Sequence, residues 1–359
     1  MPSPALHASP TDPEVAAQVR AALARAAATV DRGDLLGAVD ELQAANRELQ
    51  DPEIETRLVQ LRDRAFERQA WPVGRSQWPP AWSDRFPEAT TSLPEITPDQ
   101  LDVDTLGSGI VNHGALVVRG LLDPEAVGRM VADIDRAFDA YDESSAGASP
   151  DETAPWFVRL VPSNGYPDEK LPRSYVRGSG GVWAADSPRM LYELVELFDR
   201  LGLRDSIAGY LGERPALSVK KCTLRRVPVD SGSVWHQDGA FMGDDLRTVN
   251  VWIALTDCGG PDSDAPALDL VPRRFDHLVE TGTHGALFDT FVGQAVVERE
   301  AGSLGIVRPR FSAGDALLFD DLFLHATAVT PTMTTERYAI EAWFFAPSSF
   351  PPDQVPLVF

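Results

Sequence analysis

The chain has 359 residues, of which 43% are hydrophobic and 24% charged. This length suits one large domain or two smaller ones, and the composition is that of a globular rather than a disordered protein. Asp and Glu number 54 against 32 Lys and Arg, which gives a formal net charge of -22. Such an excess argues against nucleic acid and anionic membrane surfaces as partners, although a local arginine cluster still permits an anionic substrate.

Cysteine usage and the N-terminus bear on the compartment. Cys222 and Cys258 have no metal-ligand spacing and form no disulfide framework, so a reducing cytoplasm is the expected location. Residues 1–13 lack the basic and apolar regions of a signal peptide. The sequence has no run of about 18 apolar residues, and we therefore expect no membrane-spanning segment.

Residues 13–70 have the apolar spacing of amphipathic helices, with Asp12 and Pro13 as a helix start. Breaks near Gly33 and Pro52 predict three helices. The segment resembles a single tetratricopeptide-type hairpin followed by a helix, and one such repeat cannot bury a solenoid core. We expect a helical appendage that packs on the main domain or on a second subunit, with homodimer formation or docking of another protein as alternatives.

The segment 71–98 is rich in Pro and Trp, cannot continue a helix and is predicted to be an extended linker. A domain over residues 99–350 follows, in which a strand at 114–120 precedes a helix that starts at Asp123. Beyond about residue 217 the pattern favours short strands, predicted at 217–226, 233–238, 247–256, 267–271, 304–309, 315–319, 322–329 and 336–346. This indicates a mainly β fold with flanking helices, whose core is a double-stranded β-helix of the jelly-roll or cupin-like kind.

The chemistry centres on two of the six histidines. His236 and Asp238 stand two residues apart in a predicted strand, so an imidazole and a carboxylate share one face. That pair alone is weak, because an ordinary polar pair at a strand end has the same pattern. His325 lies in an otherwise apolar strand, which by itself favours a structural histidine. Together the three make a 2-His-1-carboxylate triad, the ligand set typical of non-haem Fe(II) oxygenases.

A cation is predicted near this triad. Arg337 opens a strongly apolar strand, and a guanidinium that points inward there can bind a carboxylate through two hydrogen bonds. Thr327 shares a strand face with His325 and can add a hydroxyl donor. The alternative for Arg337 is a surface ion pair with Glu336 or Glu341.

In order along the chain, these motifs resemble the phytanoyl-CoA dioxygenase family of Fe(II)/2-oxoglutarate-dependent oxygenases. The resemblance runs from about residue 97 to residue 350. It rests on the strand 114–120, Trp235-His236-Gln237-Asp238-Gly239, the segments 250–255, 267–272 and 314–325, and Arg337. One departure is that Arg273 and Arg274 follow Pro272, where the family usually has Gly-Ser-His.

The resemblance implies Fe(II) held by His236, Asp238 and His325, with 2-oxoglutarate as co-substrate and O2 as oxidant. It implies that Arg337 and Thr327 hold the distal carboxylate of 2-oxoglutarate, with Trp252, Thr223 and Lys221 as further candidates. The expected reaction hydroxylates an aliphatic carbon of a small molecule, of secondary-metabolite or acyl/amino-acid type, and releases succinate and CO2. A carboxylate at position 238 favours hydroxylation, desaturation or cyclisation, because related halogenases have a small residue there.

Substrate recognition is less well marked in the sequence. The candidate lining residues, each with core packing or a surface ion pair as an equal alternative, are Arg159, Arg177, Trp183, Arg225, Phe241 and Met242. Two other functions stay open. One is a cupin-like metalloenzyme without 2-oxoglutarate, in which loss of Arg337 matters little. The other is a non-catalytic binding module, against which the complete triad argues.

Overall fold

The computed structural model describes residues 12–69, 71, 78–232, 234–243 and 245–359. Within these ranges the α-helices are α1 (Pro13–Asp31), α2 (Leu35–Leu49), α3 (Pro52–Arg68), α4 (Val103–His113), α5 (Pro124–Ser145), α6 (Pro150–Thr153), α7 (Arg173–Gly178), α8 (Pro188–Arg200), α9 (Leu203–Leu211), α10 (Gly239–Met242) and α11 (Gln294–Ala301). The strands are β1 (Glu95–Ile96), β2 (Ala115–Val118), β3 (Gly181–Trp183), β4 (Ala216–Val227), β5 (Thr248–Ala254), β6 (Ala267–Leu270), β7 (Ala316–Phe319), β8 (His325–Ala328), β9 (Arg337–Phe345) and β10 (Pro356–Val358). Every helix in these ranges is too short or too polar to cross a lipid bilayer.

A large mixed sheet organises the molecule. Its strand order is β1-β2-β7-β5-β9-β4-β10, and β3 pairs with β4 as well. The β1–β2 pair is parallel and the other pairs are antiparallel. Because successive side chains of a strand point to opposite faces, one face of this sheet packs against α4, α5, α8 and α9. The other face is left for a second sheet.

The second sheet is small and consists of the antiparallel pair β6–β8. Isolated bridges extend it, from Leu270 to Val307 on one side and from His325 to His236 on the other. A single apolar cluster contains Trp343 of the large sheet and Leu268 of the small one. The two sheets therefore face each other across a shared core.

Two predicted strands and the balance of helix and strand need correction. The segments 233–238 and 304–309 contribute isolated bridges rather than strands. The α-helices contain more residues than the strands, so a mainly β fold describes only the region from β4 onward. The physical reason is that the large sheet is apolar on both faces, and helices from the first half of the chain cover one of them.

The N-terminal helices pack on the rest of the chain. Helix α3 lies against α8 and β10. The guanidinium of Arg62 is buried and donates through Nη1 to the carbonyl oxygen of Val358 at 2.7 Å. Glu196 on α8 accepts hydrogen bonds from Gln43 at 2.5 Å and from Arg47 at 2.9 Å. Docking of a partner or a second copy on these helices stays a prediction.

The predicted domain limits fall inside the large sheet. Strand β1 belongs to the segment predicted as a linker, yet it pairs with β2. Strand β10 lies beyond residue 350, yet it pairs with β4. Trp78 and Trp82 contact the ring of Tyr210, with centroids 5.3 and 6.4 Å away, so this end of the segment packs on the helical layer. Residues 72–77 of the predicted linker lie outside the described residues.

Candidate metal centre

Three side chains with metal-binding atoms meet at the edge of the small sheet. His236, Asp238 and His325 each offer one ligand atom, and these atoms all lie within 4.8 Å of one another. Oδ2 of Asp238 is 3.9 Å from Nε2 of His236 and 3.8 Å from Nε2 of His325. These three side chains would hold a single metal ion, since two imidazoles and one carboxylate are a known ligand set for iron. The structure thus brings together the three residues predicted from the sequence.

The turn after His236 is made differently from the prediction. His236 pairs with His325 in an antiparallel bridge, but Asp238 has helical dihedrals, with φ -61° and ψ -29°, and immediately precedes α10. The prediction that one strand carries His236 and Asp238 on the same face is therefore wrong. A strand-to-helix turn brings the carboxylate back toward the imidazole instead.

Gln237 fixes this turn, a role the sequence analysis missed. Its side chain is fully buried, and Nε2 donates to the carbonyl oxygen of Leu322 at 2.6 Å and to that of His277 at 3.1 Å. Its Oε1 accepts a hydrogen bond from the backbone N–H of Val279 at 2.7 Å. A buried amide with both ends satisfied orients the backbone of the neighbouring ligand Asp238. The signal available in the sequence was a polar residue between two ligands, which strand alternation alone would direct away from the site.

Both histidines present Nε2 to the site. Nδ1 of His236 is 3.0 Å from the carbonyl oxygen of Val234, and Nδ1 of His325 is 3.0 Å from that of Phe323. A carbonyl oxygen only accepts, so each Nδ1 carries a proton and Nε2 is the ring nitrogen that faces the site. Burial, followed by the neighbouring His236, lowers the pKa of His325 to about 4. The neutral imidazole is the form that binds a metal.

Lys221 contacts the metal ligand Asp238 rather than a separate carboxylate site. Its Nζ lies 2.9 Å from Oδ1 of Asp238 and 4.1 Å from the centroid of the Phe241 ring. Burial acts to raise the pKa of Asp238, but Lys221 and then the two histidines outweigh it, and that pKa is lowered. The predicted contact of Lys221 with the distal carboxylate of a co-substrate stays a prediction. It holds one oxygen of Asp238 while the other faces the histidines.

Arg337 is a buried cation without a counter-ion. Its side chain is 1% exposed and forms no ion pair in the described part of the chain, so the alternative of a surface pair with Glu336 or Glu341 is wrong. Nη1 donates to the carbonyl oxygen of Ala267 at 2.9 Å, while Nε has no hydrogen-bond partner. Burial lowers the pKa of Arg337. An unneutralised guanidinium with an unused donor is suited to a carboxylate ligand.

Trp252 is the neighbour of Arg337. The centre of the Arg337 guanidinium lies 5.4 Å from the centroid of its ring, and the indole Nε1 is buried without a hydrogen-bond partner. Thr223 is buried on β4 opposite Glu341, and Thr327 is half-buried on β8 opposite Leu268. The structure thus places Trp252 beside Arg337, while the predicted contacts of Thr223 and Thr327 with a co-substrate carboxylate stay predictions.

Aromatic side chains surround the imidazole of His236. The centroid of Phe241 is 5.8 Å and that of Phe291 is 6.3 Å from the His236 ring. Phe288 packs on Phe291 at 5.4 Å and is 62% exposed. Phe241 was a predicted substrate residue, whereas Phe288 and Phe291 were missed because they stand in a loop without a periodic pattern. The two rings beside His236 and the exposed Phe288 thus form an apolar cluster next to the triad.

Four of the other predicted substrate residues lie elsewhere or have other contacts. Arg159 pairs with Asp168, and Arg177 pairs with Asp142 at 2.6 Å, so both guanidiniums are held in ion pairs without contact to the triad. Trp183 is buried under the guanidinium of Arg173, and Met242 is buried in the core between the sheets. Contact of Arg159 and Arg177 with a substrate stays a prediction, and a surface ion pair was the alternative for each of them. Arg225 lies on β4 beside Glu341, at 3.5 Å.

No protein-family model and no curated protein sequence matches the chain. Among solved structures it is similar to AviO1 from Streptomyces viridochromogenes Tue57, with 18% identity over 70% of this chain and 98% of that chain and a TM-score of 0.43. It is similar to EvdO2 from Micromonospora carbonacea var. aurantiaca, with 15% identity over 69% of this chain and 89% of that chain and a TM-score of 0.42. It is also similar to the non-heme alpha ketoglutarate dependent carbocyclase SnoK from nogalamycin biosynthesis, with 15% identity over 70% of this chain and 86% of that chain and a TM-score of 0.44. These similarities are distant.

Proposed function

We propose that this chain is an Fe(II)- and 2-oxoglutarate-dependent oxygenase of the phytanoyl-CoA dioxygenase type that acts on a small molecule. One observation supports this proposal most strongly: a complete His-Asp-His triad and an unneutralised, buried Arg337 lie between the same two sheets. His325 contacts Phe319 of the large sheet at 5.0 Å between ring centroids, and Arg337 reaches Ala267 of the small one. In this proposal, the large sheet and the small sheet form the two halves of a double-stranded β-helix.

The residues fit the metal and co-substrate in chemistry. His236, Asp238 and His325 would hold Fe(II), since two neutral imidazoles and one carboxylate with open positions are the ligand set of such centres. When bound, iron and 2-oxoglutarate supply the activation of O2, with release of succinate and CO2 and oxidation of the substrate. Arg337 would neutralise the distal carboxylate, and Trp252 would donate to it through the unused indole N–H.

The chain's own side chains keep the site ordered and dry. Lys221 restrains Oδ1 of Asp238, and Gln237 pins the turn between the ligands. The burial of Arg337 means that a carboxylate bound there is screened little by water, which strengthens the attraction. The unused donors around Arg337 favour this function over a cupin-like enzyme that has no use for a second carboxylate site.

The aromatic rings near His236 indicate where a substrate could bind. Phe241 and Phe291 offer apolar surface next to His236, and the exposed Phe288 packs on Phe291, so a small molecule could bind beside the three ligands. We infer hydroxylation of an aliphatic carbon as the reaction, with desaturation or cyclisation as the other outcomes of the same centre. Asp238 occupies the ligand position that a halide would need.

Succinate formation tests the proposal. Protein loaded with Fe(II) is incubated in air with 2-oxoglutarate and a panel of small apolar molecules, and succinate is measured. We expect succinate from the wild type and from His277→Ala, because His277 is exposed and paired with Asp276. We expect none from His325→Ala. Succinate formation that persists in His325→Ala would contradict the proposed centre.

A further inference from the structure

A second arginine faces the space between the sheets near Arg337. Arg225 on β4 pairs in register with Ala339 on β9, which stands between Arg337 and Glu341 on the same strand. Because directly opposed residues and residues two apart share a face, Arg225, Arg337 and Glu341 all lie on the inner face of the large sheet. Trp252 on β5 is opposite Glu341 and completes this polar patch.

The guanidinium of Arg225 has a long ion pair with Glu341 and an unused N–H donor. Its side chain is 19% exposed, its Nε is 3.5 Å from Oε1 of Glu341, and that Nε has no hydrogen-bond partner. Gly181 on β3 stands opposite Arg225. A Cβ at Gly181 would lie 3.3 Å from Nη1 of Arg225 and 2.9 Å from the methyl group of Thr223, so the glycine leaves room for the guanidinium.

The charges of this patch do not balance. Two guanidiniums face one carboxylate, and three buried N–H donors of Arg225, Arg337 and Trp252 are unused. Buried donors and charges without partners are costly, and proteins retain them where a ligand supplies the missing acceptor. Arg225 is close enough to Arg337 to act with burial in lowering the pKa of that group. An anion between the two guanidiniums would restore the balance.

We propose that Arg225 is a second cation of the distal-carboxylate site, and that Glu341 restrains it until a dicarboxylic 2-oxo acid binds. This inference rests on the proposed function and deepens it, because it assigns the choice of co-substrate to a pair of arginines. Glu341 on its own would repel a carboxylate. Its ion pair with Arg225 offsets that repulsion and aims the guanidinium across the patch.

The test compares two 2-oxo acids that differ only at the far end. Calorimetric titrations of Co(II)-loaded protein under anaerobic conditions give the Kd of 2-oxoglutarate and of 2-oxopentanoate, which lacks the distal carboxylate. The variants are Arg225→Met and Arg225→Lys. The matched control is Arg226→Met, because Arg226 pairs with Asp135 at 3.3 Å and Glu336 at 3.2 Å and packs over Phe138 in the helix-covered core.

We expect Arg225→Met to weaken 2-oxoglutarate about tenfold or more, because it removes a charge-assisted hydrogen bond, and to leave the Kd of 2-oxopentanoate within about twofold. Arg225→Lys should retain part of the preference, and Arg226→Met should match the wild type. Equal weakening of both acids in Arg225→Met, or no weakening of either, would overturn the role of Arg225. A wild-type protein that binds neither acid would instead contradict the proposed function, and with it this inference.

Discussion

The backbones of His236 and His325 hydrogen-bond to each other in both directions. The N–H of His236 donates to the carbonyl oxygen of His325 at 3.0 Å, and the reverse bond measures 3.1 Å. This reciprocal pair sets the two imidazole rings 4.4 Å apart between centroids. The small sheet itself thereby positions two side chains from distant parts of the sequence.

The first prediction concerns metal affinity. His325→Ala keeps the backbone pair with His236 but removes one ligand, so the variant should fold and yet lose Co(II) binding. We expect the Kd to rise by more than about 100-fold, because even loss of an outer partner of a ligand costs about 10- to 100-fold. Calorimetry with Co(II) measures this, with His277→Ala as the control. Co(II) affinity unchanged in His325→Ala would mean that the ion binds elsewhere.

The second prediction concerns stabilisation by the co-substrate. At about 100 times its Kd, a ligand stabilises the folded state by about 2.7 kcal/mol. Metal-loaded wild type should gain this with 2-oxoglutarate, and Arg337→Met should gain almost none at the same concentration, because the distal carboxylate loses its buried partner. Denaturant unfolding with and without 2-oxoglutarate measures the difference. The control is Arg308→Met, since Arg308 pairs with Asp269 at 2.7 Å and is partly exposed. A full gain in Arg337→Met would contradict the site.

The third prediction concerns pH. Asp321 is buried and accepts a hydrogen bond from Thr248 at 2.9 Å. Burial, followed by the neighbouring Asp320, raises the pKa of Asp321 to about 7. Since the unfolded value is about 3.9, the folded state binds this proton more tightly. The contribution to stability is complete below about pH 4 and is lost as the pH rises through 7.

Asp321→Asn cannot titrate and tests this directly. Between about pH 5 and pH 8 the free energy of unfolding of the wild type should fall more steeply than that of Asp321→Asn. Urea unfolding at several pH values, with the two proteins compared at each, isolates this group from others that titrate in the same range. Parallel pH profiles would show that the carboxyl is ionised in the folded protein throughout.

The fourth prediction concerns the N-terminal helices. Glu55 on α3 is fully buried, and its pKa is raised by burial against the opposing ion pair with Arg189 at 2.7 Å. Arg189→Met leaves this carboxylate unpaired and should cost about 3–5 kcal/mol of stability. Adding Glu55→Gln should restore a large part of the loss. The control is Arg129→Met. Arg129 is exposed and pairs with the exposed Glu125, so this change should cost under about 1 kcal/mol of stability. Equal, small effects would show that α3 contributes little to the fold.

The cluster of His236, Asp238 and His325 could be predicted from the sequence because histidines are rare in this chain. Six histidines leave few choices, and the pattern of His236, Asp238 and His325 is specific to one ligand set. Arg337 could be predicted because a charged residue opens an otherwise apolar strand. In each case the residue type carries the chemistry, and no tertiary contact is needed to see it.

The contacts that could not be predicted are those that depend on the tertiary structure. Gln237 bends the chain after His236 through bonds to Leu322 and Val279, which no local pattern reveals. The sequence does not indicate which carboxylate Lys221 contacts, and in the structure its Nζ lies beside Asp238. The guanidinium of Arg159 can likewise bind an anion, and in the structure it pairs with Asp168.

In the proposed function, the triad and the guanidinium of Arg337 together bind 2-oxoglutarate and iron. Anaerobic addition of Fe(II) and then 2-oxoglutarate to metal-free protein tests it most directly, by the weak visible absorption band of the chelate. We expect the band in wild type, its loss in His236→Ala, and a need for far more 2-oxoglutarate in Arg337→Ala. Folded, iron-loaded wild type that shows no band, or Arg337→Ala that saturates at the wild-type concentration, would contradict it.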